Sequence, residues 1–292
     1  MTPPSSAVAP PGTIDAHLHV WDLDLHEYSW LGPQHGGLYA SFSPEQAQQA
    51  LAGCGIGAAV LVQAEDTTAE TEYLLAVADR SPWVAGVVGW LPLADPAATA
   101  ASLEELRRSP WFRGVRHLVH VDPRPDFLDT APVRESLRQV AEAGLPLDVP
   151  DAYPRHLAQT GRLAEELPEL VVVVDHLAKP PLGRPEMAEW RAQLDRVARC
   201  STTVAKVSGL RVAGAPYTVA ALRPAWEAAL ESFGPQRLMF ASDWPVTVPD
   251  DRHGPQGYRP TYEVLATLIG ELSPDEQREV TGGTARRVYG LP

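Results

Sequence analysis

A single-domain (β/α)₈ barrel is the fold that this sequence predicts, and three observations carry the prediction. Eight short apolar runs recur along the chain, each followed by a segment with helix-start signals. The runs are continuously apolar rather than alternating, the pattern of parallel strands covered on one face by helices. The 292 residues suffice for one such barrel. A doubly wound open sheet is the rival, but it would carry a glycine-rich phosphate turn after its first strand, and none stands there.

The first strand is Ile14 to Val20. Residues two apart on a strand share a face, so His17 and His19 point the same way with Asp15 behind them. An irregular stretch from Trp21 to Phe42 follows, long enough to suggest a functional loop. Ser43-Pro44-Glu45-Gln46 then opens a helix toward Gly53, with serine as N-cap, proline at the first helical position and glutamine at the third. Ala58 to Gln63 is the second strand, and Thr67-Thr68-Ala69-Glu70 a capping box for the helix that ends near Arg80. Trp83 to Leu93 is the third strand, and Asp95-Pro96 opens a helix to Arg108.

Phe112 to Val119 is the fourth strand, and a helix from Pro132 stops at Gly144, where glycine suits a C-terminal cap. Pro146 to Asp151, Val171 to Ala178, Thr202 to Leu210 and Arg237 to Trp244 are the remaining strands. Helices are expected over 153–167, 186–200, 219–233, 260–272 and 273–289, the last opened by the capping box Ser273-Pro274-Asp275-Glu276 and expected on the outer ring. Residues 14–292 thus form the barrel domain, with no internal repeat and no linker. Residues 1–13, rich in Pro, Ser and Ala, read as a disordered leader. They have no basic and apolar regions of a signal peptide.

Composition narrows the function classes. The net charge of -13 comes with no basic cluster, which argues against nucleic acid or an anionic membrane as partner. No apolar run approaches the roughly 20 residues of a membrane helix, and a cytoplasmic protein is expected. Cys54 and Cys200 form no CxxC pair and are expected at helix ends as small apolar residues, consistent with a reducing compartment.

Active groups of such a barrel sit at the C-terminal ends of its strands. Here those ends carry His17 and His19, Gln63, Trp90, Arg116 and His117, Asp148 and Asp151, Asp175 and His176, Lys206 and Ser208, and Asp243 with Trp244. One buried ionisable group is easily explained by a core partner; a polar group at nearly every strand end is better explained by a shared pocket. Alternation sets Asp175 against His176 and Arg116 against His117, so only one of each pair is expected to face the pocket. Lys206 reads equally as a buried ion-pair partner. Trp30, Trp90 and Trp244 are placed to wall a pocket, although packing is the commoner use of tryptophan. His26, His35, His156 and His253 read as loop or surface residues, and His120 is undecided.

His17-x-His19, the run Asp175-His176-Leu177-Ala178-Lys179-Pro180, and Ser242-Asp243-Trp244-Pro245 resemble the amidohydrolase superfamily. Within it the chain is similar to the sugar-lactonase branch typified by L-fuconolactonase and L-rhamnonolactonase-like hydrolases. Tyr28-Ser29-Trp30-Leu31, Val62-Gln63-Ala64, Gly114-Val115-Arg116-His117 and Lys206-Val207-Ser208-Gly209-Leu210 extend the likeness over Ile14 to Leu291.

The resemblance implies a barrel that hydrolyses a cyclic ester, with His17, His19, His176 and Asp243 at the catalytic or metal-binding positions. The chain departs from the wider superfamily in having no strand-four lysine to bridge two metals and no strand-five histidine. At most one divalent ion, zinc by its three-histidine, one-aspartate set, is therefore expected, and metal-free catalysis is the open alternative. The expected reaction is opening of a small sugar-derived lactone. Asp243 would act as general base, the three histidines as metal ligands or oxyanion stabilisers. Gln63, Arg116, His117 and Lys206 would hold polar groups of the substrate, with Trp30, Trp90 and Trp244 as walls. A metal-dependent decarboxylase of the same superfamily and a non-catalytic sugar-acid-binding barrel are the competing readings.

Overall fold

The computed structural model describes residues 8–212, 215–249 and 252–292. Its centre is a parallel sheet of eight strands in sequence order: β1 (Ile14–Leu18), β2 (Ala58–Val62), β3 (Val84–Gly89), β4 (Phe112–Arg116), β5 (Leu147–Val149), β6 (Val172–Val174), β7 (Thr203–Val207) and β8 (Leu238–Phe240). A parallel bridge between Leu18 and Trp244 joins the last strand's extension to the first. Backbone bonds from Asp243 N to His17 O and from His19 N to Trp244 O, both 2.9 Å, complete the seam. The expected (β/α)₈ barrel is the observed fold.

The helices form the outer layer: α1 (Pro44–Gly53), α2 (Thr68–Arg80), α3 (Pro96–Leu106), α4 (Ala131–Glu142), α5 (Leu157–Glu166), α6 (Met187–Ala198), α7 (Val219–Phe233) and α8 (Tyr258–Ile269). Their starts follow the sequence chemistry. Ser43 and Gln46 make the expected capping box, and Asp95 accepts from the amides of Ala97 and Ala98. At α2, Thr67 accepts from Glu70 N, but the Glu70 carboxylate does not reach back to close a box. It accepts instead from Tyr28 Oη at 2.7 Å and Ala64 N at 3.1 Å, tying the Trp21–Phe42 loop to the barrel.

The C-terminal segment departs from expectation. It divides into α9 (Pro274–Arg278), a π-helical turn (Glu279–Gly283) and α10 (Thr284–Tyr289). Rather than staying on the outer ring, α10 puts Ala285 and Tyr289 among Ile14, Val60, Val88 and Met239 in the barrel interior. The apolar end of the barrel needs a cover, and burying a large side chain there is worth about 1.5–3 kcal/mol. At the other terminus, Ala9 is buried and its amide donates to Cys54 O at 2.8 Å, while Thr13 is buried too. Among the described residues packing thus reaches back at least to Ala9, inside the expected leader; residues 1–7 lie outside the described residues. Cys54 is buried at the end of α1 and Cys200 follows α6, both free thiols. Among the described residues no helix is long and apolar enough to cross a membrane.

Candidate active site

Side chains entering the barrel form three tiers. Ile14, Ala16, Val60, Val62, Val173, Val204 and Met239 make the apolar lower tier. Above them five ionisable groups are buried together: His17, Arg116, Asp148, Asp175 and Lys206. At the mouth stand His19, His176 and Asp243, lining a pocket of about 170 Å³ with Trp30, Arg116, His120, Asp151 and Lys179.

Backbone irregularities aim the upper groups. In β1 the register shifts between Asp15 and Leu18, a bulge that lets one more residue turn inward. Ala16 packs inside, yet His17 also faces inward, toward Lys206 and Asp175. Asp15 instead accepts from Tyr258 Oη at 2.8 Å and from Ser242 N at 2.9 Å. After β6, His176, Leu177, Ala178 and Lys179 all have positive φ, between 49° and 61°. Such backbone costs an L-residue about 1–2 kcal/mol and here ends the strand's alternation.

Asp175 therefore keeps the inward face of Val173, and His176 comes inward as well. The expectation that the two would face opposite ways is corrected. Gly209, at φ 61°, makes room for the ring: a Cβ there would lie 2.4 Å from His176 Cγ.

At the mouth, four atoms converge. His17 Nε2 and His19 Nε2 are 3.1 Å apart. Asp243 Oδ1 stands 3.8 Å from the first, 3.4 Å from the second and 3.7 Å from His176 Nε2. Ligand atoms around a tetrahedral zinc with bonds of about 2.0–2.1 Å are spaced by about 3.3–3.4 Å. The outer atoms of the set are engaged away from the centre, as ligand orientation requires. His19 Nδ1 donates to Val62 O at 2.7 Å, His176 Nδ1 meets Ser208 Oγ at 2.8 Å, and Asp243 Oδ2 accepts from Thr247 Oγ1 at 2.7 Å. By position and donor type, His17, His19 and Asp243 fit one divalent ion, with His176 Nε2 3.7 Å from the same carboxylate oxygen. A second grouping, His17, Asp175 and His176, shares His17 with the first.

The electrostatics favour an ionised Asp243. Burial opposes its charge, but His176 and the neighbouring His19, Lys179 and His17 outweigh it and hold its pKa well below the usual carboxylate range. Burial, then the charge of Lys206, keeps His17 well below the usual histidine range, and burial likewise lowers His176. In the tier below, Lys206 Nζ lies 2.5 Å from Asp148 Oδ2 and 3.1 Å from Asp175 Oδ1, and Arg116 Nε donates to Asp175 Oδ2 at 3.1 Å. Two cations thus face two carboxylates, which makes the burial tolerable. Tyr289 Oη donates to Asp148 from below, at 2.9 and 3.0 Å.

Of the residues expected to hold substrate, Trp30 and Arg116 line the pocket. Lys206 does not: it is fully buried beneath the centre, the ion-pair alternative. Gln63 is also buried, its Nε2 bonded to Asp66 Oδ1 and Arg116 O, where it braces the wall from behind. His117 turns away from the pocket, stacked on Phe127 at 4.1 Å and 3.1 Å from Asp122 Oδ2. Trp90 follows it, with Nε1 directed at His117 Nδ1. Trp244 is fully buried with its edge to Phe42 and its Nε1 on Gly254 O.

Three polar residues that line the pocket carry no substrate role in the sequence reading: His120, Asp151 at a strand end, and Lys179 inside a motif. His156 and His253, expected at the surface or in loops, are buried. A larger cleft of about 380 Å³, beside Arg107, Arg113 and Arg287, lies at the N-terminal start of β4, away from these groups.

An eight-stranded barrel with three imidazoles and a carboxylate gathered at its C-terminal mouth has the build of a barrel hydrolase. The chain belongs to the amidohydrolase family, whose model matches residues 14–291. It is 31% identical to the L-fucono-1,5-lactonase of Burkholderia ambifaria, over 94% of each chain. It is likewise 31% identical to the L-fucono-1,5-lactonase of Burkholderia multivorans, over 96% of each. Among solved structures, an amidohydrolase from Burkholderia multivorans with bound zinc superposes with a TM-score of 0.84 at 30% identity, covering 96% of this chain and 99% of that one.

Proposed function

We propose that this chain opens a small, hydroxylated, sugar-derived lactone by attack of water on the ring ester. The observation that carries the reading is the approach of Asp243 Oδ1 to the Nε2 atoms of His17, His19 and His176, 3.4 to 3.8 Å away, at the floor of a small pocket. The likeness to two L-fucono-1,5-lactonases supports the substrate class.

Asp243 takes a proton from the attacking water as the new C–O bond forms, work suited to a carboxylate held ionised in a dry site. The oxygen of the ester carbonyl gains negative charge and faces the imidazoles, which stabilise it. The ring C–O bond then breaks, and the leaving oxygen recovers the proton from Asp243, giving an open hydroxy acid. A divalent ion held by His17, His19, His176 and Asp243 would supply Lewis-acid polarisation and acidify the water.

The polar rim suits a hydroxylated ring. Arg116 commits Nε to Asp175 and Nη1 to Gln63 O, which leaves Nη2 for a substrate oxygen. Asp151 Oδ1 is buried without a hydrogen-bond partner among the described residues, an acceptor for a hydroxyl group. Trp30, with Nε1 tied to Ala64 O at 2.6 Å, is a fixed wall for the apolar face of the ring.

The test is incubation of the purified protein with a panel of five- and six-membered aldonolactones, read by acid release. Release from at least one is expected; release from none would remove the reading.

A further inference from the structure

Two neighbours compete for one nitrogen beneath the centre. His17 Nδ1 lies 3.0 Å from Lys206 Nζ, in hydrogen-bond geometry, and 3.3 Å from Asp175 Oδ1. Yet Asp175 Oδ1 takes part in no hydrogen bond among the described residues, its near contact being the ion pair with Lys206 Nζ at 3.1 Å. An ammonium has only donors, so a bond from Lys206 makes Nδ1 an acceptor. Neutral imidazole carries one proton, and it must then sit on Nε2. The next ring agrees: a carbonyl only accepts, so His19 Nδ1 carries a proton toward Val62 O and its Nε2 carries the lone pair. That lone pair faces His17 Nε2 at 3.1 Å. Lys206 to His17, His17 to His19 and His19 to Val62 therefore form one chain in which every donor meets an acceptor.

We propose that Lys206 is a positioning residue that holds His17 in its Nε2–H tautomer, so that His17 turns toward the centre a proton engaged by His19 rather than a lone pair. That tautomer opposes a metal, which needs the lone pair on Nε2; for that, the proton must move to Nδ1, where it would confront the N–H of Lys206. By position His17, His19 and Asp243 fit an ion, but Lys206 sets the affinity low. The inference rests on the ligand set and not on the lactone reading, since neither measurement below uses a substrate.

A simpler role for Lys206 would be to balance the charge of Asp148, 2.5 Å away. The pair Lys206→Met with Asp148→Asn separates the two. It deletes one cation and one anion together, leaving Arg116 with Asp175, and the new amide oxygen at position 148 still accepts from Tyr289. Pure charge balance predicts no change at His17. The tautomer proposal predicts that Nδ1–H turns to the unbonded Oδ1 of Asp175 and frees Nε2 for a metal.

The first measurement is a long-range ¹H–¹⁵N spectrum of metal-stripped, histidine-labelled protein, with the His17 signal assigned by its loss in His17→Gln. The wild-type chain should show His17 protonated at Nε2, and the double variant at Nδ1. The second is zinc affinity by competition with a chromophoric chelator, where the folded double variant should bind at least about 10-fold tighter, the scale of changes around a metal ligand. A wild-type His17 protonated at Nδ1 overturns the proposal, and so does unchanged or weaker zinc binding in the folded double variant. The wild-type spectrum alone decides the matter if the double variant does not fold.

Discussion

The amide of Asp243 donates to the carbonyl of His17 at 2.9 Å, while its carboxylate Oδ1 stands 3.8 Å from Nε2 of the same histidine. The seam that closes the barrel therefore also sets the distance between the carboxylate and the imidazole. Asp243→Asn keeps the seam and the shape but removes the base. Turnover should fall by roughly 10²-fold or more, with the melting temperature close to wild type. Near-normal turnover in the folded variant would end the proposed mechanism.

Metal content follows from the same geometry. The two candidate groupings among the described residues, His17 with His19 and Asp243 and His17 with Asp175 and His176, share His17. At most one tightly bound divalent ion per chain is expected. Elemental analysis after exhaustive dialysis checks this, and two ions per chain would contradict it.

Gly209→Ala probes how His176 is seated. A Cβ at that position would enter the imidazole, and the φ of 61° disfavours alanine in any case. A destabilisation of about 1–3 kcal/mol is expected from the backbone and the clash together. Turnover per folded molecule should drop as well, because the ring must move. Chemical denaturation and rate measured on one sample read both; loss of stability with full turnover would show that the ring is not displaced.

Asp151→Ala tests the rim. Its unbonded Oδ1 lies at the pocket wall rather than at the reacting centre. KM for a hydroxylated lactone should rise by about 10-fold, the scale of one hydrogen bond to a charged group, with kcat little changed. A selective loss of kcat would move Asp151 into the chemistry.

Glu70 gives a pH signature outside the centre. Burial pushes its carboxyl up from 4.5 to about 7, against the hydrogen bonds from Tyr28 and Ala64. The folded chain therefore holds this proton over a range in which the unfolded chain has lost it. The stabilisation is fully present below about pH 4.5 and is lost as the pH rises through about 7. Glu70→Gln, which can still pair with Tyr28 and Ala64, should remove this part of the slope. It should also raise stability at pH 8 by up to about 3 kcal/mol. Denaturation midpoints between pH 4.5 and 8 check it, and parallel curves for the two proteins would refute it.

The barrel, its strand ends and the four candidate residues of the centre were legible in the chain alone. Those signals are local: unbroken apolar runs, caps such as Ser43 and Asp95, and ionisable residues placed where the runs stop. Where the side chains at those ends point depends on the folded backbone. Alternation fails at the β1 bulge and in the left-handed run from His176 to Lys179, where two neighbours turn to the same side. Folding also settles which polar residues serve each other rather than a ligand. Lys206 meets Asp148, Asp175 and His17, and His117 meets Asp122 and Phe127. Most of these partners lie tens to hundreds of residues away in the chain. A buried charge must find such a partner, and only the closed barrel brings the two together.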